Sequence, residues 1–331
     1  MKRVLGMGNA LIDVLVQAES DALLRELQLP KGSMQLIGPA RYRELQQRFA
    51  SLSPRHTTGG SACNTLLALA HLGAVPGLIA KVGDDEAGRF FAESCRREGV
   101  GTHLLCQEGI PTGVASTVIT PDGQRTFGTC LGAAATMQAE ELDSEWFGGY
   151  DYFYIEGYLV QNHDLMRRAV SLAREAGLKV CIDLASYNVV QAERGFFDEM
   201  LQLTDIVFAN EQEAAALTGS DDPRHNLQAL SDICPLAVLK VGRHGVWVKQ
   251  GSEQLHCPAH SVAQVVDTTA AGDYFAAGFL YGLIQDRSLA WCAEAGSLLA
   301  AHIIQVVGTA LPHSTWNSLQ QSLAALTNQA S

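Results

Sequence analysis

Short apolar runs of strand length alternate, along most of the chain, with longer stretches whose apolar residues return every three or four positions. "VPGLIAKVG" precedes "DEAGRFFAESCRREG", which Gly99 ends, and "YDYFYIEGYL" precedes "HDLMRRAVSLAREAG". "LKVCIDLA", "DIVFAN" and "LAVLKVG" continue the series, with "FFDEMLQLT" and "EQEAAALTG" as helices between them. Such βα alternation builds a parallel sheet covered by helices. "GGSACNTLLALAHLG" reads as a further helix that opens on a glycine pair and stops at Gly73, and "RVLGMGNALIDVL" as a first strand running into a glycine turn. From Gly109 to Gly132 the character changes to small, β-branched and polar residues around Pro121, Asp122 and Gly123, a hairpin signal. The predicted fold class is therefore α/β: one doubly wound, mostly parallel sheet with helices on both faces, plus a small β excursion. The closing "ALTNQAS" reads as a frayed tail.

The 331 residues can bury a large core without staples. No stretch reaches the roughly 18 consecutive apolar residues of a membrane span, so a soluble protein is expected. The net charge of -12 argues against nucleic-acid and anionic-membrane partners, which need clustered Lys and Arg. Eight cysteines stand singly, without a C-x-x-C pair, as small buried residues of a reducing cytoplasm would. Phosphates, if handled, must be met by backbone amides, a few basic groups and a metal.

Ligands on such sheets sit at the carboxyl ends of the strands, and several strand ends here are polar or rich in glycine. Gly6-Met7-Gly8-Asn9 lacks the third glycine of a dinucleotide fingerprint, since Leu11 stands there. Asp13 beyond it is either a turn-capping acid or a grip on a ligand's hydroxyl pair. Gly59 and Gly60 before a helix suit a close-approach site or a hinge, with Asn64 in the first turns either aimed back at that site or an ordinary polar residue. Asn210 and Glu213 follow the buried "DIVF" and suit water-mediated Mg2+, although a charged helix start explains them as well. In "KVGRHG", Lys240, Gly242 and Gly245 could lie along a nucleotide or form a plain turn. In "VVDTTAAGDYFAAGF", a helix starting near Ala271 would leave the amides of Ala271, Gly272 and Asp273 as an anion site. Asp273 beside it is a cap or a base that takes a hydroxyl proton while the amides hold a phosphoryl group.

Together these residues resemble the ribokinase-like (PfkB) sugar and nucleoside kinases. "VDTTAAGDYFAAGF" resembles the family's D-T-x-G-A-G-D signature, "GGSACNTLLALAHLGAVPGLIAKVGDDEAGRFF" its amino-terminal signature, and Asn210 to Glu213 its N-x-x-E motif. The resemblance covers essentially the whole chain as a single kinase domain. It implies Asp273 as base, an anion hole of Ala270, Ala271 and Gly272, and Asp13, Gly60 and Asn64 on the acceptor's hydroxyls, with Gly59 and Gly60 as hinge. It implies a β lid from segments near 13–36 and 110–132, Asn210 and Glu213 organising Mg2+, Thr268 and the Lys240, Gly242, Gly245 region along ATP, and Arg125 as a basic lid residue. K+ between the loop before Ala270 and a turn near Gly308 is a further option, and monomer and homodimer both stay open. The family has glycine where this chain has Ala270; a positive φ there would strain the alanine, and a negative one would not. "GNALIDVL", "LPKGSMQLI", "RTFGTCLGAA", "YIEGYLVQNHDL" and "DLASYNVV" are most similar to the adenosine-kinase branch. The expected reaction is ATP- and Mg-dependent phosphorylation of a nucleoside's 5'-hydroxyl. The alternatives are a ribose, fructose or 2-keto-3-deoxygluconate kinase, or a degenerate kinase that binds nucleotide without turnover.

Overall fold

The computed structural model describes residues 1–32, 34–122 and 124–326. Gly123 of the expected turn and the tail from Thr327 onward lie outside the described residues. In chain order the strands are β1 Val4–Met7, β2 Leu11–Gln17, β3 Met34–Leu36, β4 Arg55–Gly59, β5 Gly77–Gly83, β6 Gly101–Gln107, β7 Gly113–Ile119, β8 Arg125–Cys130, β9 Tyr152–Glu156, β10 Lys179–Asp183, β11 Ile206–Asn210, β12 Leu236–Lys240, β13 Val246–Gln250 and β14 Glu253–Cys257. The α-helices are α1 Ala22–Glu26, α2 Pro39–Ala50, α3 Ser61–His71, α4 Glu86–Arg97, α5 His163–Glu175, α6 Tyr187–Ala192, α7 Arg194–Leu201, α8 Glu211–Thr218, α9 Pro223–Ile233, α10 Ala271–Ile284, α11 Leu289–Ile303 and α12 His313–Leu326.

Nine strands form the main sheet in the order β14-β13-β12-β11-β10-β9-β1-β5-β6. It is parallel except at one edge, where β13 pairs antiparallel with both β12 and β14. Every residue of β5 and β9 is buried, as strands covered on both faces require. One apolar core joins the sheet to α3, α4 and α10 to α12, and a second joins its other face to α5 and to α7 to α9. The α/β architecture expected from the alternation is the one observed.

Five strands form a second sheet in the order β3-β8-β7-β2-β4. β7 and β8 are the arms of the expected hairpin, antiparallel from Val114 opposite Cys130 to Ile119 opposite Arg125. Helix α2 covers one face of this sheet with Leu45 and Phe49, both fully buried. The opening stretch is not one strand, as the sequence suggested. β1 lies in the main sheet and β2 in the second, with the chain crossing between them at residues 8–10. The chain returns at Gly60, crosses again at residues 108–112 and comes back after Cys130. Asp85 anchors the third crossing: it caps α4 through the Gly88 amide at 2.8 Å and accepts from the Thr112 amide at 2.8 Å and hydroxyl at 2.6 Å.

Helices α10 and α11 cross with backbone against backbone. A methyl group built on Gly278 would lie 2.5 Å from the Ala295 carbonyl oxygen, and one on Gly296 would lie 2.8 Å from that of Phe275. This close crossing sets the direction of α10 and therefore where its first turn points. Gly278→Ala is expected to push the helices apart and to lower unfolding stability by about 1–3 kcal/mol, read from the urea midpoint at unchanged slope.

Candidate active site

The parallel strands β9, β10, β11 and β12 end in Glu156, Asp183, Asn210 and Lys240, which therefore stand side by side along one sheet edge. All four line a cleft of about 1370 Å³ between that edge, the second sheet and the start of α10. The sequence pointed to Asn210 and Lys240. Glu156 and Asp183 are single acids after apolar runs that the sequence did not single out, and the strand order makes them neighbours.

Asp273, in the first turn of α10, meets the first turns of α3. Its carboxylate accepts from the Ser61 hydroxyl at 2.6 Å and from the Asn64 amide nitrogen at 2.9 Å. Burial pushes its carboxyl up to about 6, against these two hydrogen bonds, which favour the charged form. A carboxylate that titrates just below neutrality, and so is mostly ionised there, suits a general base. Ser61 was not singled out in the sequence, although it follows the glycine pair directly.

The loop before α10 answers the question raised by Ala270. Its φ is 60° and ψ 5°, left-handed, and the Ala271 amide donates to the Thr268 carbonyl at 3.2 Å. Residues 268–271 are thus a turn whose third position is of the kind glycine normally fills. The turn corrects the expected anion hole, because the Ala271 amide is already used inside it. The amides of Ala270, Gly272 and Asp273 have no hydrogen-bond partner among the described residues, and all three residues line the cleft. Ala185, at the end of β10, is also left-handed, with φ 69°, and also lines the cleft.

On the second-sheet side, Asp13 of β2 lines the cleft with Gly60 and Asn64. Burial drives its carboxyl up to about 7, despite the Arg125 guanidinium and helped by the negative Asp273. Gly59 does not line the cleft. It packs on Asp13, where a methyl group would lie 2.5 Å from Oδ1. Gly60 has φ 98° and room for no side chain, because its missing Cβ faces the Asn9 carbonyl. Glu156 holds both nearby chain crossings at once: it accepts from the Asn9 amide at 2.9 Å, the Asn9 side chain at 2.6 Å and the Ala62 amide at 3.0 Å. Burial raises it to about 7 in spite of these donors.

Glu213 and Asn210 form a reciprocal cap on α8, with the Asn210 amide and side chain donating to Glu213 at 2.7 and 2.6 Å. Both carboxylate oxygens are engaged, and burial raises Glu213 to about 7. No cluster of three or more His, Cys, Asp or Glu could hold a metal among the described residues. Asn210 and Glu213 line the cleft, and the lone pairs left over from the cap could accept from metal-bound waters. Lys240, Gly242, Gly245 and Thr268 line the same cleft.

Arg125 stands at the start of β8 in the second sheet. It is buried and forms an ion pair with Asp267, and it does not line the cleft. Asp267 also accepts from the Thr269 amide at 3.0 Å and the Gly308 amide at 2.9 Å. Arg125 thus fastens the second sheet to the loop before Ala270, while Asp267 brings the Gly308 turn against that loop.

The description "pfkB family carbohydrate kinase" matches residues 34–316. A sugar kinase of Archaeoglobus fulgidus, itself uncharacterized, is 29% identical over 255 residues, 75% of this chain and 99% of that protein. Adenosine kinase of Schizophyllum commune is 26% identical over 341 residues, 95% of this chain and 97% of the relative. Among solved structures, adenosine kinase from Sinorhizobium meliloti superposes with a TM-score of 0.89 at 34% identity, covering 97% of this chain and 99% of its own. A probable sugar kinase from Rhizobium etli gives 0.89 at 31%, covering 97% and 98%.

Relieving the left-handed alanine is the direct test of the loop geometry. Ala270→Gly removes strain of about 1–2 kcal/mol and adds unfolded-chain entropy of about 0.4–1 kcal/mol. The expected result is a net stabilisation of up to about 1.6 kcal/mol in chemical unfolding, with turnover unchanged or raised.

Proposed function

The chain belongs to the pfkB carbohydrate kinase family and is a phosphotransferase acting on a hydroxyl acceptor, and within that family we propose that it phosphorylates the primary 5'-hydroxyl of a nucleoside. The observation that carries the reading is the division of the cleft. Asp13, Asn64 and Asp273 line it where β2 comes near α3 and α10, and Leu11, Leu36, Phe127 and Leu131, on or next to the second sheet, line it with Thr129 among them and with Tyr158. Ribose hydroxyls match the polar residues. A base matches the apolar ones, where stacking on Phe127 or Tyr158 would contribute roughly 1–3 kcal/mol; a free sugar, with hydroxyls on every side, leaves them unmatched. Full-length similarity to adenosine kinases supports the same assignment. The sugar-kinase alternative draws on relatives such as the mouse ribokinase, 27% identical over 262 residues.

In the proposed mechanism ATP lies along the strand ends past Thr268 and Gly242, and the acceptor lies under the second sheet, which acts as a lid hinged at Gly60 and at residues 8–10. Asp273 takes the 5'-hydroxyl proton as the acceptor oxygen attacks the γ-phosphorus in line. The free amides of Ala270, Gly272 and Asp273 receive the charge that builds on the phosphoryl oxygens. Mg2+, held through water by Asn210 and Glu213, would supply charge neutralisation on the nucleotide phosphates. Glu213 also orients Asn210, and Glu156 sets the hinge and the start of α3.

Turnover with Mg-ATP against a panel of nucleosides and free sugars, with the product identified by mass, tests the class. Phosphorylation of nucleosides is expected; turnover confined to sugars transfers the protein to the carbohydrate branch, and nucleotide binding without turnover makes it a degenerate kinase. Asp273→Asn should abolish turnover with ATP affinity nearly intact, and more than a few per cent of residual activity removes Asp273 from the base role.

The pH dependence follows from the same carboxylate. The working form is the ionised one, so kcat/KM should rise through an apparent pKa near 6 and level off above it. Ser61→Ala deletes a donor that favours the charge, and the acid limb should move to higher pH. A limb that stays in place would show that Ser61 does not set the base.

A further inference from the structure

The strand-end lysine stands apart from the rest of the cleft. Carboxylates dominate the lining, with Asp13, Glu156, Asp183, Glu211, Glu213 and Asp273 all facing in. Among the described lining residues Lys and Arg are represented by Lys240 and Arg243, and Arg243 is exposed. Lys240 is not: its side chain is 15% exposed, and its ammonium lies 3.0 Å from Asp183 Oδ2, itself 7% exposed.

The two residues end β12 and β10, with β11 between them, so the lysine must extend over two strand spacings of about 4.8 Å each. Its ammonium is thereby held over the end of β11 and under the start of α10. A methyl group built on Gly272 would lie 3.2 Å from Nζ. An ammonium has three donors, and this one has a single hydrogen-bond partner among the described residues. Two donors remain beside the loop with the open amides.

We propose that Lys240 is a catalytic residue, held by Asp183, whose ammonium contacts the γ-phosphoryl group as it passes from the nucleotide to the acceptor. The inference rests on the kinase reading and reassigns Lys240 from general nucleotide binding to the group in transit. As the bond from the acceptor oxygen to the γ-phosphorus forms, the bond from that phosphorus to the β-phosphate oxygen breaks. ADP leaves with that electron pair, Asp273 takes the hydroxyl proton, and Lys240 keeps its own protons throughout. An anionic phosphoryl group entering a pocket of carboxylates meets a fixed cation at the place where repulsion would otherwise be greatest. Burial works against the charge on Lys240, but Asp183 and Glu213 outweigh it and keep the amine protonated across the neutral range.

The test compares nucleotides with and without the γ-phosphoryl group. Calorimetry of AMP-PNP and ADP, each with Mg2+ and without acceptor, gives the ratio of their dissociation constants for the wild type, Lys240→Met and Lys240→Arg. A wild type that favours AMP-PNP, a methionine variant that loses the preference while holding ADP within about threefold, and recovery of the preference by arginine are expected. With acceptor, kcat of the methionine variant should fall about 10²–10³-fold, the scale of one transition-state donor. A methionine variant that keeps the preference, or weakens both nucleotides equally, makes Lys240 a structural ion-pair partner and overturns the proposal. If Lys240→Met fails to fold, the double variant Lys240→Met with Asp183→Asn removes both charges together and is read by the same ratio. A wild type that turns over sugars alone overturns the nucleoside reading but leaves the nucleotide ratio decisive for Lys240. One that binds neither nucleotide sinks both.

Discussion

The carboxylate of Asp273 joins two helix starts that are more than two hundred residues apart in the chain. Ser61 and Asn64 on α3 donate to it, and the Thr65 hydroxyl reaches the Asp273 carbonyl at 3.2 Å. A buried carboxylate without donors would be costly, so these bonds fix α10 relative to α3. Helix α3 is placed in turn by Glu156, which takes the Ala62 amide, and α10 by its close crossing with α11. The position of Asp273 is therefore set by packing on rigid elements, to which the second sheet is joined through Gly60 and residues 8–10 and by the Arg125–Asp267 pair.

The site is also where the molecule carries its electrostatic load. Asp13, Glu156 and Glu213 are raised to about 7 and Asp273 to about 6, each chiefly by burial. Between pH 4 and these values the folded chain binds more protons than the unfolded one, so these groups subtract stability as pH rises through that window. Left-handed Ala185 and Ala270 add backbone strain at the same cleft. Acids gathered without equal cations and alanines in glycine conformations are poor choices for stability alone, and their gathering at one cleft is what a functional site shows.

Much of this was legible in the sequence because the relevant signals are local. Periodicity gave the β5–α4, β9–α5 and β11–α8 units, and the hairpin of β7 and β8 announced itself by composition. The antiparallel pair β13 and β14, in "VWVKQ" and "EQLHC", did not, since short, half-polar edge strands carry little pattern. Asn210, Lys240, Asn64 and Asp273 stood in polar or glycine-rich surroundings and could be picked out. Glu156 and Asp183 are single acids after apolar runs, and their meaning depends on β9 and β10 being adjacent, which is a matter of topology. The Arg125–Asp267 pair was hidden for the same reason: nothing near either residue names the other. Whether Ala270 is left-handed could only be posed as a question, because it depends on the turn that the Thr268 carbonyl closes.

The position of β1 inside the main sheet, between β9 and β5, also bears on how the chain reaches this state. Leu5 pairs with Gly77 on one side and with Phe153 on the other, and both partners follow it in the chain. A chain emerging from the ribosome holds β1 without a neighbour until β5 arrives, and with one bare edge until β9 is made. Every residue of β1 is apolar or glycine and buried in the end, so during that interval it is a sticky, unpaired edge of the kind that draws other chains. The strand that anchors the finished sheet is thus the one that most needs protection while the protein is being made.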